Sequence, residues 1–172
     1  MSVALAASRV ERAWTVLDGV LDPEVPVVSV RDLGIVRDVI ESDEGLTVIV
    51  TPTYSGCPAT EVIEKSIVDA LEAEGLGPVR VEMHRAPAWT TDWVSEAGRN
   101  KLREYGIAPP GPVAMPASAP LRFMPRQPSR ALACPRCAST NTERISAFGA
   151  TACKALWRCK ACGEPFEHFK PI

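Results

Sequence analysis

The sequence predicts an α+β protein: a small α-β-β-α-β-α sandwich followed by a proline-rich linker and a small β-ribbon stapled by zinc. Three observations carry this. Apolar residues recur at helical and strand periods in alternation through the first hundred residues. Residues 107–130 are crowded with prolines. Two Cys-x-x-Cys hooks, Cys134/Cys137 and Cys159/Cys162, stand near the end of the chain. The expected boundaries are 1–108 for the sandwich, 109–130 for the linker and 131–172 for the four-cysteine zinc ribbon.

The first helix opens on a capping box, Ser8 with Glu11 three residues on, and places Val10, Ala13, Trp14, Leu17 and Leu21 on one face until Asp22-Pro23 stops it. Residues 36–40 and 46–50 are rich in β-branched side chains and flank Glu41-Ser-Asp-Glu-Gly45, which predicts a hairpin. A second helix follows Cys57. Pro58 suits its first turn, Glu61 its positive N-terminal end, and Val62, Ile63, Ile67, Ala70 and Leu71 its buried stripe, with Gly75 as the stop. Val79, Val81 and Met83 alternate as a third strand, and a last helix is expected over 91–105, ended by Gly106. The sheet is expected to be mostly antiparallel or mixed.

Prolines in 107–130 forbid helix interiors and central strands, so this stretch is expected to hold the ribbon at a distance and let it swing; its Leu121, Phe123 and Met124 could dock on a partner. In the ribbon, each hook lets two sulfurs reach one ion from a tight turn, and the 21 residues between hooks suffice for a hairpin. Gly163 gives the second turn its backbone freedom. Zinc is the expected ion, with mononuclear iron or an iron–sulfur cluster as competitor and a disulfide pair as the plain alternative.

At 172 residues and 46% apolar content the chain can bury a core, and no apolar run approaches the roughly 20 residues needed to cross a bilayer. Six cysteines without an apolar leader point to a reducing cytoplasm. Residues 1–120 carry 10 basic and 18 acidic side chains, whereas 121–172 carry 9 and 3. The basic tail suits an acidic partner or the acidic half of the chain itself, with nucleic acid as a minor reading because its cations are spread out.

Ser55-Gly56-Cys57-Pro58 places a thiol where a loop enters a helix, so free N–H groups and the helix dipole favour the thiolate, making Cys57 a candidate ligand for iron or an iron–sulfur cluster; a buried small hydrophobe is the alternative. Thr51, Thr53, Tyr54 and Ser55 bring hydroxyls nearby in sequence, and Asp22 and Glu24 bring carboxylates that could equally be caps. Asp32, in Asp32-Leu-Gly34, is expected chiefly to shape a turn. Cys153 is a spare thiol or an alternative cluster ligand. With two histidines, no Glu-x-x-His pair, no nucleophile elbow and no phosphate or dinucleotide loop, the chain is not expected to be catalytic on its own.

Leu21-Asp-Pro-Glu-Val-Pro26, Val30-Arg-Asp-Leu-Gly-Ile-Val36 and Thr51-Pro-Thr-Tyr-Ser-Gly-Cys-Pro58 resemble the metal–sulfur cluster biosynthetic family over roughly 1–108. Together with the proline stretch, the four ribbon cysteines, Phe148-Gly-Ala-Thr-Ala-Cys153 and Glu164-Pro-Phe-Glu-His-Phe169, the whole chain is similar to the PaaD (PaaJ) family of phenylacetate-degradation proteins. The resemblance implies an accessory protein of aerobic phenylacetate catabolism that matures or delivers a metal centre to the phenylacetyl-CoA epoxidase. It implies a functional cysteine at Cys57 and an acidic turn at Asp22, Pro23 and Glu24. It further implies structural zinc, a transient iron–sulfur cluster or iron as cargo, and epoxidase components as partners, the iron–sulfur reductase among them, with the chain homodimeric or client-bound. The competing expectations are a docking or regulatory subunit with purely structural zinc, tolerant of Cys57→Ala, and a nucleic-acid-binding zinc ribbon.

Overall fold

The computed structural model describes residues 7–54, 59–113 and 132–172. It divides into two units, Met1–Gly98 and Arg99–Ile172.

The first unit follows the expected order. Helix α1 (Arg9–Leu17) carries the capping box, Ser8 Oγ accepting from Glu11 N while Glu11 accepts from Ser8 N. Strands β1 (Val36–Ser42) and β2 (Gly45–Val50) pair antiparallel, and β3 (Val79–Met83) adds to β2 in parallel, so the sheet is mixed, in the order β1-β2-β3. A parallel partner needs a crossover, which α2 (Thr60–Ala73) supplies. Leu46, Val48 and Val50 bury every second side chain of the central strand, and α1 and α2 pack on the sheet and on each other. Arg9 and Arg12 reach from α1 to the carbonyls just past α2: Arg9 Nη2 donates to Leu76 O and Gly77 O, both at 2.7 Å, and Arg12 to Glu74 O at 3.1 Å. Two guanidinium groups thus cover the negative end of that helix.

Three local expectations need correcting. Val62 is 51% exposed, and α2 buries only Ile63, Ile67 and Leu71 among the stripe residues: these i, i+4, i+8 positions centre the buried face, and residue 62, about 100° around the helix from 63, falls outside it. Leu21 lies beyond the end of α1 and is 47% exposed; Val20 is buried instead. The last helix is two pieces, a 3-10 turn (Thr91–Trp93) and α3 (Glu96–Tyr105), separated by Val94 in an extended conformation. Ser95 restarts it, its Oγ accepting from Gly98 N at 2.9 Å, a cap signal hidden inside the expected helix.

The second unit contains a four-stranded sheet in the order β4-β7-β6-β5: β4 (Ile107–Ala108), β5 (Thr142–Ser146), β6 (Lys154–Cys159) and β7 (Pro165–Phe169). The hairpin expected between the hooks is β5–β6, and β4 pairs with β7 in parallel. Ala108, from before the proline-rich stretch, and Leu132, from after it, belong to one apolar cluster with Cys134, Ala155, Trp157, Cys159 and Phe166. Residues 114–131, on which most of the expected swinging tether falls, Leu121, Phe123 and Met124 included, lie outside the described residues.

Candidate metal centre

The two hooks are built by the same sequence of hydrogen bonds. Ala138 N donates to Cys134 O and Cys134 N to Ser139 O; Gly163 N donates to Cys159 O and Cys159 N to Glu164 O, all at 2.9 Å. Each turn ends on a residue in the left-handed region directly after its second cysteine: Gly163 at φ 79° and Ala138 at φ 59°, the latter the only non-glycine with positive φ among the described residues. Sequence reasoning found Gly163 and missed Ala138, because alanine gives no signal for that conformation; its place after a Cys-x-x-Cys pair was the available clue.

The four Sγ atoms of Cys134, Cys137, Cys159 and Cys162 lie within 4.8 Å of one another. Across the hooks, Cys134 and Cys162 are 3.9 Å apart and Cys137 and Cys159 3.6 Å. A zinc–sulfur bond of about 2.3 Å gives a tetrahedron with edges of about 3.8 Å, so the donor set fits such an ion. Cys134 and Cys159 are buried against Trp157 and Phe166, whereas Cys137 and Cys162 are exposed. Four thiolates leave no open position for a reacting ligand, which suits a staple.

The sulfurs do not ionise alike. The Cys162 N–H, joined by that of Ala161, draws the Cys159 thiol down to about 7 against the effect of burial. At Cys137 the Ser139 N–H pulls downward, but the neighbouring Cys159 and Cys162 sulfurs push the thiol up to about 12. Glu164 N–H favours the Cys162 thiolate, yet the Cys159 sulfur and burial leave that thiol raised. Cys159 is the sulfur readiest to bind, while Cys137 and Cys162 are held toward the protonated form, so a cation entering between them releases protons.

Charge around the centre is mostly spent. Arg136 pairs with Glu164 at 3.6 Å, Arg158 and Lys160 converge on Glu143, and buried Lys154 meets Glu167 at 2.7 Å. The Arg158 hydrogen bond first, then that of Lys160, lowers the Glu143 carboxyl; burial pushes Glu167 up, but the bond from Lys154 and that from Ala150 N–H bring it below the usual range. Of the nine tail cations, Arg122, Arg126 and Arg130 belong to the proline-rich stretch rather than the ribbon. Two further buried groups escaped sequence reasoning: Trp157 Nε1 and His168 Nε2 have no hydrogen-bond partner, and their rings meet edge to face at 6.1 Å. Burial takes His168 down to about 4.

Cys57 lies outside the described residues. Thr53 is half-buried in the bend before that gap, and α2 begins after it with no side-chain cap at Ala59. The other first-unit candidates work on backbone. Asp22 Oδ1 accepts from Glu24 N at 2.9 Å and Val25 N at 2.8 Å, and Glu24 is half-buried in the turn so formed. Asp32 Oδ2 accepts from Ser29 N and its Oδ1 from Ser95 Oγ, both at 3.1 Å. Gly34 completes that turn at φ 68°, where a Cβ would stand 2.7 Å from Trp93 O. Cys153 is not among the clustered sulfurs: it is buried, with Sγ 3.0 Å from Thr151 Oγ1. No helix among the described residues is long and apolar enough to cross a membrane.

Comparison with known proteins gives each unit a family. Residues 11–83 match an iron–sulfur cluster assembly protein family, and residues 119–170 match the PaaD zinc beta ribbon domain. The chain is 46% identical, over 98% of its length and 96% of the relative's, to an Escherichia coli protein described as a putative 1,2-phenylacetyl-CoA epoxidase subunit. It is also 35% identical to the "Fe-S protein maturation auxiliary factor" of Porphyromonas gingivalis, over 48% of this chain and 80% of that one. The fold matches a solved domain of unknown function (DUF59) from Bacillus anthracis at a TM-score of 0.51 and 24% identity, covering 55% of this chain and 91% of that one. A chain that joins an iron–sulfur assembly domain to this ribbon, with such identity along almost its whole length, belongs to the PaaD family of phenylacetyl-CoA epoxidase subunits.

Proposed function

We propose that this protein is a cytoplasmic accessory factor of aerobic phenylacetate catabolism that assembles or delivers an iron–sulfur or iron centre, its cargo, to a phenylacetyl-CoA epoxidase complex. The observation that carries the reading is the joining, in one chain, of a domain of the iron–sulfur assembly family to a ribbon shared with a relative named as an epoxidase subunit. Labour divides by unit: the assembly-family domain of the first unit handles the cargo, and the ribbon of the second recognises the client. Cys57 is the proposed cargo ligand. One thiol cannot hold a cluster, so a second copy's Cys57 or a partner's side chains complete the site during transfer. Cys134, Cys137, Cys159 and Cys162 are the proposed zinc ligands, and the ion supplies a cross-link between hooks rather than chemistry.

The test is a determination of zinc, iron and acid-labile sulfide per chain on protein prepared without oxygen, before and after cluster reconstitution. About one zinc with substoichiometric iron and sulfide, the latter two lost in Cys57→Ala, is the expected outcome. Zinc alone after reconstitution removes the carrier role and leaves a docking subunit. That second reading draws support from the closed four-sulfur set and from the engagement of Asp22 and Asp32 with the backbone.

A further inference from the structure

In the described ribbon, Arg136, Lys154, Arg158 and Lys160 each pair with one of its three glutamates, Glu143, Glu164 and Glu167. Arg144 and Lys170 pair with none of them. Two large apolar side chains of the ribbon are exposed nearby in the chain or in space: Ile145, the chain neighbour of Arg144, is 52% exposed, and Phe148, which Lys170 approaches, is 64% exposed. Lys170 Nζ stands 4.6 Å from the centre of the Phe148 ring and donates to Ala147 O at 3.3 Å, so ammonium and ring form one feature. Arg144 and Ile145 lie on β5, the edge strand of the sheet, where a bulge between Arg144 and Ser146 takes Ile145 out of the pairing register. An exposed aromatic three positions from an exposed aliphatic residue, with a guanidinium and an ammonium lacking glutamate partners, has the composition of an interface centre rather than of ordinary surface.

We infer that the β5 edge, through Arg144, Ile145, Phe148 and Lys170, is a docking surface for a partner protein that presents an apolar side chain flanked by carboxylates. Charge complementarity selects that occupant: the surface offers two cations, and the ribbon's glutamates are already paired elsewhere. The inference rests on the reading that the ribbon recognises an epoxidase component.

The full-length chain, co-expressed with the epoxidase components and purified through a tag, gives the test. Phe148→Asp and Arg144→Glu should each weaken retention of a component at least tenfold while leaving the metal content per chain unchanged. Val62→Asp, an equally exposed apolar site on α2, should leave retention as in the wild type. Raising the salt should weaken the wild type more than Arg144→Glu. Variants that keep their metal and retain the component as the wild type does overturn the surface while the client reading stands. A wild-type chain that retains no component overturns both. Loss of self-association in Phe148→Asp, with component retention intact, assigns the surface to a second copy and overturns the partner named here.

Discussion

The two units of this chain solve one problem, holding a small fold together, by different means. The first unit buries aliphatic side chains from α1, α2, β1 and β2, with Leu17, Val28, Val48, Ile67 and Leu71 fully enclosed, and its polar motif residues tie turns to that core. The ribbon has less to bury: Ala108, Ala155, Trp157 and Phe166, packed on two of its four clustered cysteines, with Ile107 and Phe169 buried as well. Where apolar area is scarce, the four-sulfur set must carry the folding free energy. The difference teaches that a shared chain need not share a source of stability, and that each half has its own point of failure.

Metal removal should break the comparison most. Stripping the ion with a strong chelator, or Cys159→Ser, is expected to unfold the ribbon, a loss on the order of 10 kcal/mol, while the first unit keeps its helices. Amide spectra resolved by residue check this; persistence of the β5–β6 amides without metal would mean that the small apolar cluster suffices.

Acid sharpens it next. His168 folds with a pKa of about 4, below the unfolded value of about 6.5, so it contributes stability above pH 6.5 that is lost as pH falls toward 4. The expected loss is on the order of 1–3 kcal/mol, confined to the ribbon. Comparing the pH dependence of ribbon unfolding in wild type and His168→Gln isolates it, since the cysteine contribution is common to both; equal slopes would sink the assignment.

The smallest effect compares the hooks with each other. Ala138→Gly should stabilise the ribbon by about 1 kcal/mol, because glycine meets no steric cost at φ 59°, and Gly163→Ala should destabilise it by a similar amount. Denaturant midpoints measured with metal bound decide the matter.

Much of the fold was legible because its signals are local. The Ser8–Glu11 box, the β-branched runs around residue 45 and the hook spacing each encode their structure within a few residues. What was not legible depends on distant partners. Val62 and Ile63 are equivalent in composition, and only the register of α2 on the sheet exposes one and buries the other. The carboxylate of Asp22 reads as ligand or cap from sequence alone, and its backbone donors lie in the turn it shapes, whereas Asp32 reads chiefly as a turn residue and there accepts from Ser29 N. Trp157 and His168 sit in an alternating strand pair with nothing local to mark their unpartnered nitrogens. The β4–β7 pairing joins residues about 60 positions apart, and prolines next to β4 disguised it.

That pairing has a consequence for how the family can vary. Because Ala108 and Leu132 meet in one cluster, two points 24 positions apart in sequence are held together, and the entropy of closing a flexible chain between fixed ends grows only with the logarithm of its length. Doubling it would cost about 0.6 kcal/mol. Relatives can therefore lengthen or shorten this stretch with little thermodynamic penalty, leaving selection free to act on what its side chains meet.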